Sequence, residues 1–350
     1  MKMQHISPGD RVVVLGGSGF IGSHLIPELL SSGMSVVNVD IYEPTDPLPA
    51  EVEYVRGDIR NESALATAFA GADAVVNLAA AHHDFGIPES TFESVNIGGA
   101  RAVTEAMTEA GINNLCFYSS VAVYGDSEQA PTETSPTTPT NIYGRTKLEA
   151  EGIYRAWADG VPGRRALIVR PAVVFGPRNA ANMYRLIDQI ARRRFLSVGN
   201  GANEKSMVYV ENIVQAIMFL WQSEPKVQPE IVNCVDEPNL TSAEIIRHVY
   251  TALGRRAPRF HLPLAPAIWL AKPLDLVARL TKRDLPITSN RIAKLGASET
   301  AFSAQRLRSL GFTPEVPLRV GITRMVSWYQ DLDRDPSSYT HIPPEEPVIP

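Results

Sequence analysis

Tyr143-Gly144-Arg145-Thr146-Lys147 places a phenol and an amine four residues apart. Pro136 and Pro139 break any helix upstream, and Thr140 or Asn141 supplies a capping side chain for the one that follows. On such a helix Tyr143 and Lys147 share a face. The spacing alone proves nothing, because tyrosine and lysine often fall four apart. Its context is Tyr118-Ser119-Ser120-Val121-Ala122-Val123-Tyr124-Gly125, which begins at the end of a predicted parallel strand. Ligands bind outside the carboxyl ends of such strands, where a hydroxyl can hold a substrate oxygen. A free tyrosine titrates near ~10 and is a poor base at neutral pH. A nearby positive charge, such as an ammonium, favours its phenolate. Ser120, Tyr143 and Lys147 therefore suit removal of a proton from an alcohol while hydride leaves the same carbon, or the reverse reduction of a ketone.

A hydride acceptor needs a site, and Gly16-Gly17-Ser18-Gly19-Phe20-Ile21-Gly22 offers one. The stretch fits Gly-x-x-Gly-x-x-Gly through Gly16, Gly19 and Gly22, and Gly-x-Gly-x-x-Gly through Gly17, Gly19 and Gly22. Glycines let the backbone turn sharply and approach a pyrophosphate, while the following helix presents N–H donors and its positive dipole end. A plain strand-to-helix turn would read the same way, so the second signal decides. A second strand ends in Asp40, 18 residues after Gly22. A carboxylate there accepts the adenine-ribose hydroxyls and repels a 2′-phosphate. Neither Ile41 nor Tyr42 supplies a cation for that phosphate, so the expected cofactor is NAD rather than NADP.

These residues require parallel strands to carry them. Apolar runs at Arg11–Leu15, Val36–Val39, Ala74–Leu78, Leu115–Tyr118 and Ala166–Val169 are too continuous for strands with one wet face. Helix-length segments lie between them at Ile21–Ser32, Ser63–Ala70, Phe92–Ala110 and Ile142–Asp159. The alternation predicts an α/β fold, a Rossmann-type doubly wound parallel sheet with a smaller C-terminal α/β substrate lobe. We expect an NAD-binding domain over 1–178, with about 206–240 returning to it near Ile231–Val235. A substrate lobe spans mainly 179–330, and a proline-rich tail, 331–350, belongs to neither. No internal repeat is visible.

Composition narrows the classes. Of 350 residues, 33 are Lys or Arg and 38 Asp or Glu, so 33 − 38 gives −5, which argues against a nucleic-acid partner. The short Arg192-Arg193-Arg194 run reads as a solvated helix end. Cys116 and Cys234 follow no metal spacing and form no disulfide framework, so no metal is expected. The polar Met1–Asp10 stretch lacks a signal-peptide pattern, and no segment is apolar enough to span a membrane; the expected setting is the cytoplasm. Leu262–Leu280 comes nearest, but it holds Lys272, Asp275, Arg279 and three prolines, and reads as a helical lobe segment with a membrane-surface role as the alternative.

Taken with Gly57-Asp58, Asn77-Leu78-Ala79-Ala80, Asn96, Arg170-Pro171 and Phe175-Gly176-Pro177, the motifs run in order along residues 11 to about 330. The chain thereby resembles extended short-chain dehydrogenases/reductases of the NAD-dependent epimerase/dehydratase group. The resemblance implies Ser120, Tyr143 and Lys147 as catalytic. It implies Gly16, Gly19, Phe20, Ile21, Gly22, Asp40 and Ile41 around the adenosine and phosphates, with Asp58 and Ile59 near the adenine. Leu78, Ala79 and Ala80 would follow the pyrophosphate, His82 and Asn96 would also meet the cofactor, and Pro171 would line the nicotinamide. It also implies a homodimer through the helices near 92–110 and 142–159.

Dehydratases of this group carry an Asp-Glu pair just after the catalytic hydroxyl residue. Val121 and Ala122 stand there, so loss of water is not expected. His82 and His83 sit near the mouth, as an added acid/base pair, a cofactor contact or plain loop residues. Hydride chemistry alone remains, as sugar-nucleotide 4-epimerisation or 4-keto reduction. Lys205 and Arg291 are candidates for a substrate diphosphate, with Arg178 and Asn179 also facing substrate; surface cations are the competing reading. Val208-Tyr209-Val210-Glu211-Asn212 is similar to the 3β-hydroxysteroid dehydrogenase branch, which keeps a sterol or other alcohol open. A non-catalytic NAD-binding regulator is the third reading, although such proteins usually lose the Tyr or Lys that this chain keeps.

Overall fold

A computed structural model describes residues 5–82, 86–127, 130–223, 230–258, 262–263, 266, 301–332 and 335–340. Strands β1 (Arg11–Leu15), β2 (Ser35–Asp40), β3 (Glu53–Arg56), β4 (Ala74–Asn77), β5 (Asn114–Tyr118) and β6 (Arg165–Pro171) join a later strand, β10 (Glu230–Cys234). All pair in parallel, in the order β10-β6-β5-β4-β1-β2-β3. Beyond β6 lie β7 (Val173–Phe175), β8 (Glu204–Lys205) and β9 (Met207–Tyr209), and after β10 comes β11 (Leu240–Thr241). Edge strand β3 lies outside the apolar runs of the sequence: its Glu-Tyr-Val-Arg stretch alternates and carries little continuous apolar signal.

The continuous apolar runs have a simple cause, since successive side chains on each strand enter opposite cores. Val12, Val14, Val76, Cys116, Leu167 and Val169 pack on one face, with Leu25 and Ile26 of α1 (Gly22–Ser31). Ile217 and Trp221 of α7 (Val210–Trp221) complete that layer. Val13, Leu15, Val75, Leu115, Phe117 and Ile168 pack on the other face. Against them lie α2 (Glu62–Phe69), α4 (Gly99–Ala110) and α5 (Ile142–Asp159). A third cluster holds the smaller lobe together, among α6 (Asn182–Ala191), α8 (Ser242–Ala252) and α10 (Leu318–Asp331). A short helix, α9, covers Gln305–Ser309.

Two expectations change. The single helix over 92–110 is three pieces: α3 (Glu89–Phe92), a π-helical turn (Glu93–Gly98) and α4. The wider turn carries Asn96 inward, and Gly99 packs so closely on Ile59 that a Cβ would collide with it. The tail does not stand apart where it is described. Pro336–Tyr339 forms a 3₁₀ turn against the first lobe. There Thr45 Oγ1 donates to the Ser338 carbonyl at 2.6 Å and the Tyr339 hydroxyl donates to Asp46 at 3.1 Å. Among the described residues no helix is long and apolar enough to cross a membrane.

At the amino end of β6, far from the carboxyl ends of the strands, Arg165 is fully buried and pairs with Glu230 at 2.8 Å. It also donates to the carbonyls of Leu220, Trp221 and Ser223, closing the end of α7. Arg165→Met should strand the Glu230 carboxylate and cost roughly 3–5 kcal/mol. Urea unfolding reads this loss, and cofactor affinity of the folded fraction should not change.

Candidate active site

β1 lies between β4 and β2, so the connections leaving β1 and β4 diverge and open a crevice at the strand ends. The glycine loop fills its floor. Gly16 adopts φ +78°, a left-handed conformation, and donates its N–H to the Val39 carbonyl at 2.8 Å. A Cβ on Gly16 would lie 2.7 Å from the Ala79 nitrogen, and one on Gly22 would enter the Gly17 backbone. Both positions are therefore closed to side chains for the loop to lie this low. No side chain caps α1, and its first turn closes on the loop itself, with Ser23 donating to the Gly19 carbonyl at 3.0 Å and Leu25 to the Ile21 carbonyl at 2.9 Å. Of the neighbouring residues, Phe20 packs edge-on to His24 and Ile21 packs on the core under α1.

Asp40, at the end of β2, accepts the N–H groups of Ser18 at 3.0 Å and Tyr42 at 3.2 Å, with Ile41 adding a further backbone donor. Burial outweighs these donors and pushes its carboxyl up to about 6. The Asp58 carboxylate is held on both oxygens by Arg60, at 3.0 and 2.7 Å, and Arg60 reaches Ser94. Asp58 thus ties the loop after β3 to the π-turn, while Ile59 is buried under Gly99. After β4, Leu78 donates to the Leu15 carbonyl and Ala79 to Asn77 Oδ1, which sets the chain through Ala80 beside the glycine loop. The resemblance implies a cofactor contact for Asn96, but its amide is engaged within the protein. It clamps Ala81 on both backbone groups, at 2.8 and 3.0 Å, and donates to Thr146 at 2.9 Å.

The Ser120, Tyr143 and Lys147 side chains converge at the end of β5. Asn141 caps α5 through the Gly144 N–H, which sets the helix start at Ile142. Gly144 meets the Ala122 carbonyl so closely that a Cβ would clash, and this brings the first turn of α5 against the Ser120 loop. Ser120 caps the 3₁₀ turn Val121–Tyr124 through the Ala122 N–H at 3.1 Å and hydrogen-bonds Tyr143. Burial pushes the Tyr143 phenol up to about 12, with the Ser120 contact opposing it. Lys147 is 2% exposed, donates to the Tyr118 carbonyl at 2.6 Å and lies 4.6 Å over the Phe117 ring. Burial pushes its ammonium down to about 7, with the Glu151 charge opposing it. The His82 and Tyr143 rings are 6.5 Å apart. Pro171 is buried where β6 ends, in register with Cys234.

The substrate candidates divide. Arg178, at φ 68°, pairs with Asp46 at 3.0 Å and donates to the Ser23 carbonyl at 3.1 Å; it ties α1 to the loop after β2. Asn179 turns back on its own chain, accepting from the Ala181 N–H at 3.1 Å. Lys205 is half-buried, which pushes its ammonium down. Arg291 and His83 lie outside the described residues. Sequence reasoning misses Glu151 as a site residue, although it continues the Tyr143, Lys147 spacing by four. Glu151 is buried in an ion pair with Arg170 at 2.6 Å.

The closed glycine positions and the buried carboxylate at the end of β2 together fit a dinucleotide. Asp40 would hold the adenine ribose as a carboxylate, the form present above about 6. NAD affinity should therefore fall as pH drops through that value. Asp40→Asn should weaken NAD by about 1.5–3 kcal/mol, roughly tenfold or more, and flatten this pH dependence in calorimetric titrations.

Comparison with known proteins agrees with this geometry. The model of the NAD dependent epimerase/dehydratase family matches residues 12–234. N-acetyl-alpha-D-glucosaminyl-diphospho-ditrans,octacis-undecaprenol 4-epimerase of Escherichia coli O157:H7 is 37% identical over 91% of this chain and 95% of its own. A mouse sterol-4-alpha-carboxylate 3-dehydrogenase, decarboxylating, is 27% identical over 94% of each chain. The crystal structure of UDP-glucuronic acid 4-epimerase from Bacillus cereus in complex with NAD superposes with TM-score 0.72 at 22% identity, covering 93% of this chain and all of that one. A crevice shaped for a dinucleotide, a family model running from the first strand of the seven-stranded sheet to its last in sequence, and a full-length relative lead to one conclusion: this chain belongs to the NAD dependent epimerase/dehydratase family.

Proposed function

We propose that the chain is an NAD-dependent 4-epimerase of a sugar carried on a diphosphate, with Ser120, Tyr143 and Lys147 at the reacting carbon. The observation that carries the reading is the meeting of these three side chains beside the glycine crevice, with apolar Val121 and Ala122 where a dehydratase needs acids. NAD, held by the glycine loop and Asp40, would supply reversible hydride chemistry at the sugar carbon. Ser120 holds the sugar oxygen, and Tyr143 takes its proton as the carbinol becomes a ketone. Lys147, 6.0 Å from the Tyr143 ring, favours the phenolate by its charge. Tyr143 then returns the proton after the ketone has presented its other face, so the reaction is redox-neutral.

The carrier follows from the diphosphate, which nucleotide sugars share with the lipid-linked sugar named for the 37% relative. Lys205 supports that recognition, and Arg178 supports the cofactor side instead. We place the division at 1–178 for the cofactor lobe, with a return by 206–240, and 179–330 mainly for substrate. The sterol reading rests on Val208–Asn212, but Asn212 is engaged with Asp236 at 2.8 Å and Val316 at 2.7 Å, so that stretch serves packing in the lobe. We also place the enzyme in the cytoplasm, as a homodimer through α4 and α5; free buried Cys116 and Cys234 suit a reducing compartment. Gly152 on α5 is exposed, and a Cβ there meets nothing, which leaves room for a partner helix.

Tyr143→Phe should keep NAD and lose turnover by about 10²–10⁴-fold. The assay is NMR of new anomeric signals from UDP-N-acetylglucosamine and from a polyprenyl-diphosphate N-acetylglucosamine. Retained turnover in the variant sinks the mechanism; stoichiometric NADH consumption points to a 4-keto reductase, and oxidation of a 3β-hydroxysterol alone to the sterol reading. Separately, Gly152→Trp should turn a dimer into a monomer by light scattering, and an unchanged dimer would place the interface elsewhere.

A further inference from the structure

Three successive residues at the end of β5 are each held by α5. The Tyr118 carbonyl accepts from Lys147, the Ser119 hydroxyl donates to Glu151 Oε1 at 2.5 Å, and Ser120 hydrogen-bonds Tyr143. Tyr143, Lys147 and Glu151 follow one another by four along a single helix face. Glu151 is 1% exposed, and Arg170 grips both of its oxygens, at 2.9 and 2.6 Å. Arg170 in turn donates to the Tyr124 hydroxyl at 2.8 Å, and that hydroxyl donates to Asn233 at 2.8 Å. A buried ion pair is a weak stabiliser compared with apolar side chains of the same volume. Fastening α5 to β5 therefore does not by itself call for a charge here.

We propose that Glu151, held by Arg170, is a positioning residue of the reacting centre, fixing Ser119 ahead of the Ser120 hydroxyl and setting a negative charge one turn below Lys147 so that this buried amine stays an ammonium. The inference rests on the Tyr143 and Lys147 reading above. The groups facing Lys147 are few. On α5 they are Tyr143 and Glu151, and on β5 the Tyr118 carbonyl and the Phe117 ring. β6 brings Arg170, which faces Glu151, and the 3₁₀ turn brings Tyr124 against Arg170. The π-turn brings the uncharged Asn96 amide to Thr146, while its Glu93, like Glu89 of α3, pairs with exposed Arg145 on the outer side of the helix. His82 lies beyond Tyr143. Glu151 is thus the carboxylate that opposes the effect of burial on Lys147. Without it the ammonium gives up its proton at lower pH.

The test uses the NAD-loaded enzyme and its sugar substrate. Glu151→Gln keeps the shape and removes the charge. It should leave NAD affinity and KM within about twofold, lower kcat about 10-fold or more, and move the alkaline limb of the kcat–pH profile down by about one pH unit. Ser119→Ala removes the contact and keeps the charge, so it should lower kcat with the limb unmoved. A wild-type kcat and limb in Glu151→Gln overturns the proposal, as does an equal loss in both variants with no movement of the limb. Should Glu151→Gln not fold, Ser119→Ala decides, and wild-type kcat there overturns it. Inactive Tyr143→Phe beside normal Glu151→Gln would sink this inference alone, whereas active Tyr143→Phe would sink the reading beneath it.

Discussion

A primary amine with almost no access to water sits at the centre of this site, and its burial constrains everything around it. An ammonium loses several kcal/mol of hydration on entering an apolar interior unless partners are fixed in place. Lys147 has a carbonyl at 2.6 Å, an aromatic face and a carboxylate one turn away, all on elements whose positions the two cores determine. The strand β5 contributes the carbonyl and the ring, α5 contributes the amine and the carboxylate, and β6 contributes the arginine that balances the carboxylate. Phe117 and Tyr154, 4.6 Å apart, pack the same helix on the same strand. Chemistry and packing share one contact surface here.

The cofactor crevice depends on a different constraint, the exclusion of side chains. Gly16 and Gly22 keep the first loop low, and the Asn96 clamp keeps the chain after β4 out of its way. The first 3₁₀ turn and the π-turn do related work: each departs from regular helix where a side chain must be aimed, Ser120 in one case and Asn96 in the other. Ser338 and Tyr339 join the loop after Asp40 through Thr45 and Asp46, and Arg178 meets the same Asp46, so three separate parts of the chain brace the crevice edge beside Asp40.

Much of this is legible in the sequence because local rules and the global fold agree. Strand runs that are apolar at every position announce a sheet covered on both faces, and glycines at fixed offsets announce a backbone that must approach something closely. The Asn141 cap and the spacing by four are local signals, and they suffice to put Tyr143 and Lys147 on one helix face. What stays hidden depends on partners distant in sequence. Glu151 reads as one more acid on a helix until Arg170 and Ser119 are seen around it. Arg178 and Asp58 read as ligand contacts, yet the opposite charges they meet are Asp46 and Arg60. The π-turn leaves no side-chain signature, and the docking of Pro336–Tyr339 joins residues 293 positions apart.

In the proposed reaction, hydride leaves and returns to one sugar carbon while Tyr143 handles the proton beside it. A substrate labelled with deuterium at C4 tests this most directly. Turned over in unlabelled water by the NAD-loaded enzyme, it should give the 4-epimer with deuterium still at C4 and no label in the solvent. Loss of the deuterium to water, or epimerisation at a carbon other than C4, would contradict the account.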